Sequence, residues 1–166
     1  SYVAVVVVLA AAVTFFMTGD GGEKTATTVA TAPEVPERQM LVVLPFENLG
    51  PTDQEYFADG VTEEITTRLA KLSGLGVISR TSAMQYKGSD KSLRDIADEL
   101  DVDYALEGSI RWDRSGDIDR VRVSAQLIRT ADDTHLWAET YDRVFEQIFD
   151  LQSNIAEEVA KALNLT

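Results

Sequence analysis

The sequence predicts an α+β (α/β-like) fold, a mixed β-sheet of about five strands with three main helices, preceded by a transmembrane helix. Three patterns indicate this. Apolar residues recur at helical spacing in three segments, strand-like runs lie both between and beside these segments, and one uncharged apolar block stands at the amino terminus. The resulting order is strand–helix–strand–helix–strand–strand–strand–helix, which is typical of a mixed sheet.

The first segment, residues 1–17, is predicted to be a truncated transmembrane helix. Tyr2 to Met17 carries no charge, and its sixteen residues would span roughly 24 Å against a hydrocarbon core of about 30 Å. A secretory signal is the alternative, but such signals begin with a basic, Met-initiated stretch, which Ser1 does not provide. A buried core segment fits poorly because a region rich in glycine and threonine follows.

Residues 18–39 are predicted to form a flexible acidic tether. Glycine, threonine, alanine and two prolines leave little apolar surface to bury. Cytoplasmic flanks of membrane helices usually carry an excess of Lys and Arg, whereas this flank has more Asp and Glu. The sequence therefore predicts that the globular part lies outside the cytoplasm.

The globular domain is predicted over residues 40–164. Met40 to Phe46 is a continuous apolar run ended by proline, as expected of a strand buried on both faces. Asp59 is predicted to cap a helix that ends near Gly74, and Leu75 to Ser79 is predicted to be a second strand. The helix carries one apolar stripe, formed by Val61, Ile65, Leu69 and Leu72.

The second half of the domain begins with a helix whose start, Ser92 to Asp95, resembles a capping box. Strands follow over 102–112, around 121–127 and over 135–141, and the first two are predicted to pair as a hairpin. In the last strand, Leu136 and Ala138 are expected on one face and Trp137 and Tyr141 on the other. The closing helix has an apolar stripe of Ile148, Leu151, Ile155, Val159 and Ala162.

The composition argues against several classes of function. Fifteen Lys and Arg stand against 28 Asp and Glu, a net charge of −13, which disfavours nucleic acid because its phosphates are bound by basic groups. The absence of cysteine excludes disulfides, thiolate nucleophiles and Cys-ligated zinc. The single histidine, His135, argues against a metalloenzyme.

Individual motifs point the same way, towards a chain that is not an enzyme and has no cofactor. Gly74-Leu75-Gly76 follows a helix and precedes a strand, the reverse of a phosphate-binding loop, and is interpreted as a turn. The loop with Asp113, Asp117 and Asp119 does not match the EF-hand calcium pattern of alternate oxygens, a glycine at the central position and a terminal glutamate, and a polar turn is favoured. No catalytic, cofactor-binding or metal-binding residue is therefore assigned. The aromatic side chains remain as either core or partner contacts: Tyr56, Phe57, Trp112, Trp137 and Tyr141.

Several segments, among them VVLPFENLG, EYFADGVTEEI, LRDIADELDVDYALEGSIRW and THLWAETYDR, resemble the FlgO-like, TolB amino-terminal-like domain of bacterial single-pass membrane proteins. The resemblance covers about Leu41 to Leu163. It implies a small module without catalytic residues, often accompanied by tetratricopeptide repeats and by a serine/threonine kinase, an adenylate cyclase or a winged-helix domain. A departure is Asp132-Asp133, where relatives often carry a Thr-Gly turn. Matching positions are implied to be scaffold and contact surface: Pro45, Phe46, Tyr56, Phe57, Ala58, Asp59, Gly60, Arg80, Leu136, Trp137 and Tyr141.

The leading hypothesis is therefore a non-catalytic, extracytoplasmic interaction or sensor module of a bacterial signalling protein. It would sit in the inner membrane through Tyr2–Met17, face the periplasm and act by contact with a protein partner or as a homo-oligomer, without binding nucleic acid. Two alternatives stay open. One is a fragment of a receptor-type serine/threonine kinase or adenylate cyclase whose catalytic domain lies upstream, and the other is an envelope or secretion accessory protein.

Overall fold

A computed structural model describes residues 38–113, 119–144 and 148–165, all of which belong to one compact unit. The predicted membrane segment, residues 1–17, and the tether up to Glu37 lie outside these residues. Within the described ranges, none of the helices combines the length and the apolar character that crossing a bilayer requires.

The described residues form a six-stranded sheet and four α-helices. The strands are β1 (Gln39–Val43), β2 (Glu47–Asn48), β3 (Leu75–Val77), β4 (Tyr104–Asp113), β5 (Arg120–Arg129) and β6 (Thr134–Val144). The helices are α1 (Glu55–Leu69), α2 (Arg80–Ala83), α3 (Leu93–Leu100) and α4 (Ile148–Ala162). Single 3-10 turns cover Thr52–Gln54 and Met84–Tyr86.

The sheet is mixed, as predicted. Its strand order is β3-β1-β4-β5-β6, with β2 paired to β4. β1 runs parallel to both β3 and β4, because helices carry the chain across between these strands. β4, β5 and β6 are successive antiparallel neighbours, because short connections join them.

Two apolar clusters cover opposite faces of the sheet. On one face, Leu41 and Val43 pack with the stripes of α1 and α4. On the other face, Val42 and Leu44 pack with Ala105 and with residues of α2 and α3. β1 is therefore buried on both faces, which explains its uninterrupted apolar sequence and confirms the prediction.

Beyond α3, the strands β4 to β6 present polar side chains on the second face, which we call the open face. These side chains form rungs across the strands: Gln126 donates to Glu107 (2.5 Å), the hydroxyls of Ser124 and Thr140 are 3.1 Å apart, and Arg122 donates to Asp142 (2.8 Å). The open face consists of Glu107, Ser109, Arg111, Arg120, Arg122, Ser124, Gln126, Thr140 and Asp142, all exposed or half-buried.

The start of α1 differs from the prediction. Asp59 does not cap the helix, because the 3-10 turn at Thr52–Gln54 continues directly into α1 and moves its first residue to Glu55. Gln54 occupies the cap position and makes no side-chain capping bond. Asp59 lies one turn inside the helix, where its carboxylate accepts from Lys87 instead.

The first strand is also shorter than predicted, and β2 and α2 are elements that the sequence analysis did not predict. Proline has no N–H to donate, so the ladder is interrupted at Pro45. Leu44 still donates to the Leu106 carbonyl and Leu49 to the Ile110 carbonyl, both at 2.8 Å, so the chain rejoins β4 as β2. Two residues of β2 and four of α2 are too few to produce a periodic pattern.

The expected alternation in the last strand is wrong at one position. Leu127 pairs with Trp137 and Ile128 with His135, which leaves Leu136 as the extra residue of a β-bulge. As a result, Leu136 and Trp137 both pack against the cluster shared with α1 and α4, instead of pointing to opposite faces.

Candidate functional site

A groove of about 760 Å³ lies at the carboxyl end of β1 in the described part of the chain, and we call it the β1-end groove. Leu44, Pro45 and Phe46 contribute the segment that leaves β1. The open face contributes polar groups, and the loop before α3 contributes residues 86–91. Its lining includes Glu47, Asn48, Glu55, Tyr86, Lys87, Asp90, Lys91, Leu93, Ile96, Glu107, Ser109, Ser124 and Gln126.

The topology explains why the groove forms at this point. The chain leaves β1 for α1 on one face of the sheet, whereas the α2–α3 connection returns to β4 on the other face. Elements on opposite faces therefore separate at the carboxyl end of β1. In open α/β sheets, ligands bind in such a crevice.

A buried threonine fixes the bend at Pro45 and Phe46. The Phe46 N–H donates to Thr62 Oγ1 at 3.0 Å, and the Thr62 hydroxyl donates to the Ala58 carbonyl at 2.8 Å. The Phe46 ring lies against Gly108 of β4, where even a methyl group would overlap it. The backbone that forms one side of the groove is thus held by both α1 and β4.

Lys87 ties the loop at the mouth of the groove to α1. Its ammonium lies 2.5 Å from Asp59 Oδ1 and 2.7 Å from Glu55 Oε1. Burial works to lower the pKa of Lys87, but the hydrogen bonds to Asp59 and Glu55 outweigh it and raise the pKa above its ordinary value. Lys87 therefore stays charged and holds the loop in place.

A second set of contacts ties the same loop to α3. Lys91 Nζ lies 2.5 Å from Glu99 Oε1, and the Tyr86 hydroxyl donates to Glu99 Oε2 at 2.8 Å. The hydrogen bond from Lys91, followed by that from Tyr86, lowers the pKa of Glu99. The carboxylate consequently remains ionised near neutral pH, and the loop is anchored at both ends.

The chemistry of the groove suits binding. Its volume is within the range of about 300–1,000 Å³ that ligand sites usually have. Leu44, Leu93 and Ile96 give it an apolar side, and Glu107, Ser109 and Gln126 give it a polar one. Ser109 and Ser124 have no histidine beside them, since the chain's single histidine, His135, is exposed on β6 and does not line the groove.

The residues that the sequence analysis assigned to a contact surface lie in four places. Pro45 and Phe46 line the groove, and Asp59 reaches it through Lys87. Arg80 begins α2, with its Nε 3.6 Å from Glu63 of α1. Leu136, Trp137 and Tyr141 lie on β6, where the rings of Trp137 and Tyr141 are 6.5 Å apart.

The remaining assigned residues belong to the first turns of α1. The Phe57 ring packs against Trp112 with a centroid distance of 4.9 Å, which gives it a core role. Tyr56 is 71% exposed, and Gly60 faces solvent. The structure therefore brings Pro45, Phe46 and Asp59 together at the groove, and the other assigned residues lie away from it.

Several groove residues were missed by the sequence analysis. Lys87, Lys91, Glu107 and Gln126 are ordinary polar residues in the sequence, and the partners that give them a role come from distant segments. Thr62 had a detectable signal, because it is a hydroxyl residue within the buried stripe of α1.

Comparison of this chain with known proteins gives a clear family and a clear fold. A protein of Rhizobium meliloti (strain 1021) named putative adenylate cyclase 3 is 45% identical over 134 residues, which are 80% of this chain and 22% of that protein. The chain thus spans about a fifth of the length of this curated relative.

Solved structures share the fold at low sequence identity. TolB from Acinetobacter baumannii matches with a TM-score of 0.55 and 14% identity, over 76% of this chain and 28% of that chain. Lipoprotein GNA1162 from Neisseria meningitidis matches with a TM-score of 0.53 and 14% identity, over 73% of this chain and 96% of that chain. The predicted TolB-like architecture is confirmed at the level of the fold.

The family profile that matches is different from the FlgO-like one that the residues resemble. The second domain of HilA/YgeH-like transcriptional regulators matches residues 37–158, which include the groove and all six strands. By this match, the chain belongs to the family of HilA/YgeH-like transcriptional regulator second domains.

Proposed function

We propose that this chain is a non-catalytic interaction module, which binds a partner or ligand in the β1-end groove and thereby regulates an effector domain attached to it. The observation that carries the proposal is the range of proteins in which the domain occurs. One relative is named as an adenylate cyclase, and the family is named for transcriptional regulators. A domain that occurs both with an adenylate cyclase and in transcriptional regulators is more simply explained as a part that regulates these activities than as the part that carries them out.

The groove supplies a physical basis for this role. Its loop is tied by Lys87 to α1 and by Lys91 to α3, so a ligand that displaces these ion pairs would change the relation between the two helices. Part-exposed ion pairs of this kind are individually weak, which makes them suitable for replacement by a ligand's own groups.

A turnover assay tests the absence of catalysis. The purified 166-residue chain is incubated with ATP and Mg²⁺ or Mn²⁺, and cyclic AMP and ADP are measured. The proposal predicts no product above the protein-free background. Product formation that is lost in the Lys87→Ala variant, with unchanged unfolding, would contradict it.

The adenylate cyclase fragment is the second candidate, and the Rhizobium meliloti relative favours it, because it shares 45% identity with 80% of this chain. In that case the chain would be the regulatory portion of a longer cyclase. The open reading frame upstream of Ser1 distinguishes this from the kinase alternative, through paired cyclase aspartates or a kinase lysine strand and H-R-D loop. The envelope accessory role is the remaining alternative. In that case the upstream reading frame would contain neither the cyclase aspartates nor the kinase motifs.

We also propose that Tyr2–Met17 anchors the chain in the inner membrane with the globular part in the periplasm. The support is the uncharged run of Tyr2–Met17 and the acidic composition of the residues after it. A reporter enzyme that is active only in the cytoplasm, fused after Asn164, should be inactive. An active fusion would reject the periplasmic placement.

A protein partner and self-association of the chain are proposed as well. Measurement of the molecular mass in solution tests the self-association.

A further inference from the structure

A second cleft, of about 350 Å³, lies at the far end of the open face from the β1-end groove. It is formed where β4, β5 and β6 run side by side, and we call it the arginine cleft. Its lining consists of Arg111, Trp112, Asp113, Arg120, Arg122 and Asp142.

The strand register brings like charges together in this cleft. Arg111 of β4 lies directly opposite Arg122 of β5. Arg120 lies two residues before Arg122 on the same strand and points to the same face. Like charges directly opposite each other on neighbouring strands are destabilising. Asp142 of β6 neutralises Arg122, and a bound anion would do the same for Arg111.

Only one of the three guanidinium groups is satisfied within the cleft. Arg122 donates to both carboxylate oxygens of Asp142, at 2.8 and 3.2 Å, and these bonds lower the pKa of Asp142. Arg111 and Arg120 make neither a side-chain hydrogen bond nor an ion pair with any residue in the described ranges, although Asp113 stands opposite Arg120. Two guanidinium groups therefore remain available beside one whose orientation is fixed.

We propose that the arginine cleft binds a phosphate group. Guanidinium presents its N–H donors as a planar fork that fits phosphate oxygens, and charge-assisted bonds of this type are the stronger ones. Arg111 and Arg120 would donate to the phosphate, and Arg122, held by Asp142, would add positive charge. The cleft holds three guanidinium groups against the carboxylates of Asp113 and Asp142, an excess of positive charge in a chain whose net charge is −13. This inference stands independently of the function proposed for the β1-end groove.

Titration of the intact chain with inorganic phosphate, at constant ionic strength maintained with chloride, tests the proposal. Nuclear magnetic resonance should show saturable shifts at the Arg111, Arg120 and Arg122 side chains. Arg111→Gln and Arg120→Gln should each raise the Kd by about tenfold or more. Arg94→Gln, which changes an exposed arginine on α3, should leave it unchanged.

Two further measurements, of the unfolding temperature and of binding to a phosphate monoester, complete the test. Without phosphate, Arg111→Gln should unfold at the same or a higher temperature than the wild type, since it removes the like-charge pair. A phosphate monoester such as glycerol phosphate, titrated in parallel, identifies the source: tighter binding than inorganic phosphate indicates a phosphorylated small molecule, and equal binding indicates the free ion. Shifts that chloride reproduces, or a Kd that neither variant changes, would overturn the proposal.

Discussion

Replacing either of two glycines in regular secondary structure by alanine should change the stability of this domain, but in opposite directions. A Cβ at Gly108 would lie 2.8 Å from Phe46 Cδ1 and would overlap the Ser124 carbonyl, whereas a Cβ at Gly60 would meet nothing within 4 Å. Gly108→Ala should lower the free energy of unfolding by about 1–3 kcal/mol through overpacking. Gly60→Ala, in the exposed interior of α1, should raise it by about 0.5–1 kcal/mol. Urea unfolding measures both, and equal shifts of the two variants would contradict the packing at Gly108.

Tyr141 gives the domain a component of stability that disappears at alkaline pH. Burial, aided by the hydrogen bond to Glu139, raises the pKa of Tyr141 well above its ordinary value of 10.0. Because the folded-state pKa exceeds the unfolded one, this contribution is complete below about pH 10 and declines as the pH rises towards the folded-state pKa.

The matched variants are therefore Tyr141→Phe and Tyr56→Phe. Between pH 9 and 11.5, the urea midpoint of the wild type should fall more steeply than that of Tyr141→Phe. Tyr56 is 71% exposed, so Tyr56→Phe should follow the wild type. Parallel curves for the wild type and Tyr141→Phe would show that the phenol ionises equally in the folded and unfolded chains.

At the residue scale, the sequence predicts burial better than it predicts partners. The buried stripes of β5 and α4 follow from spacing alone, because burial repeats with the period of the element. The roles of Lys87 and Gln126 do not, because Asp59, Glu55 and Glu107 become their neighbours only after the sheet has formed.

Among the elements, α3 has the start that its sequence predicts. Ser92 Oγ accepts from the Asp95 N–H at 3.2 Å and donates to Asp95 Oδ2 at 2.7 Å. Asp95 thus occupies the position that a glutamate usually has in a capping box. Ser92→Ala should lower the free energy of unfolding by about 0.5–2 kcal/mol, and Ser92→Thr should retain most of it. Chemical denaturation followed by circular dichroism measures the difference, and an equal loss in both variants would contradict a capping role.

The turn between β5 and β6 holds Asp133 in a backbone conformation that favours glycine. Asp133 has a φ of 56°, in the left-handed region that glycine tolerates best. Asp132 accepts from the Thr134 hydroxyl at 2.6 Å and lies 3.6 Å from Arg129. Asp133→Gly should therefore raise the thermal midpoint, and Asp132→Gly should lower it. A lower midpoint for Asp133→Gly would contradict the assigned backbone conformation.

Element boundaries were harder to predict than the elements themselves. The helix α1 begins at Glu55, earlier than the predicted cap at Asp59, because a 3-10 turn, which leaves no periodic signal in the sequence, leads into it. The bulge at Leu136 was not predicted because it depends on the register with Leu127 and Ile128, and a one-residue irregularity does not change composition.

At the scale of the whole molecule, the mixed sheet and its helices were predictable, whereas the β1-end groove was not. Alternating and helical patterns are local, so each segment carries its own signal. The groove is assembled from the end of β1, the loop before α3 and the middle of β4 and β5, segments that are separated by up to about eighty residues of sequence. Its position follows only from the strand order β3-β1-β4.

Filling the β1-end groove with a large side chain in the protein as it exists in the cell tests whether this groove is the regulatory contact. Ser109 lines the groove and is half-buried, whereas Thr67 is exposed on α1 outside it. Ser109→Tyr and the control Thr67→Tyr are introduced at the native locus, and both proteins are shown to unfold at wild-type temperature. If the groove is the regulatory contact, cellular cyclic AMP, or the transcript output if the effector is a regulator, changes in Ser109→Tyr and stays at the wild-type level in Thr67→Tyr. A folded Ser109→Tyr protein with wild-type output would contradict the claim that this groove is the regulatory contact.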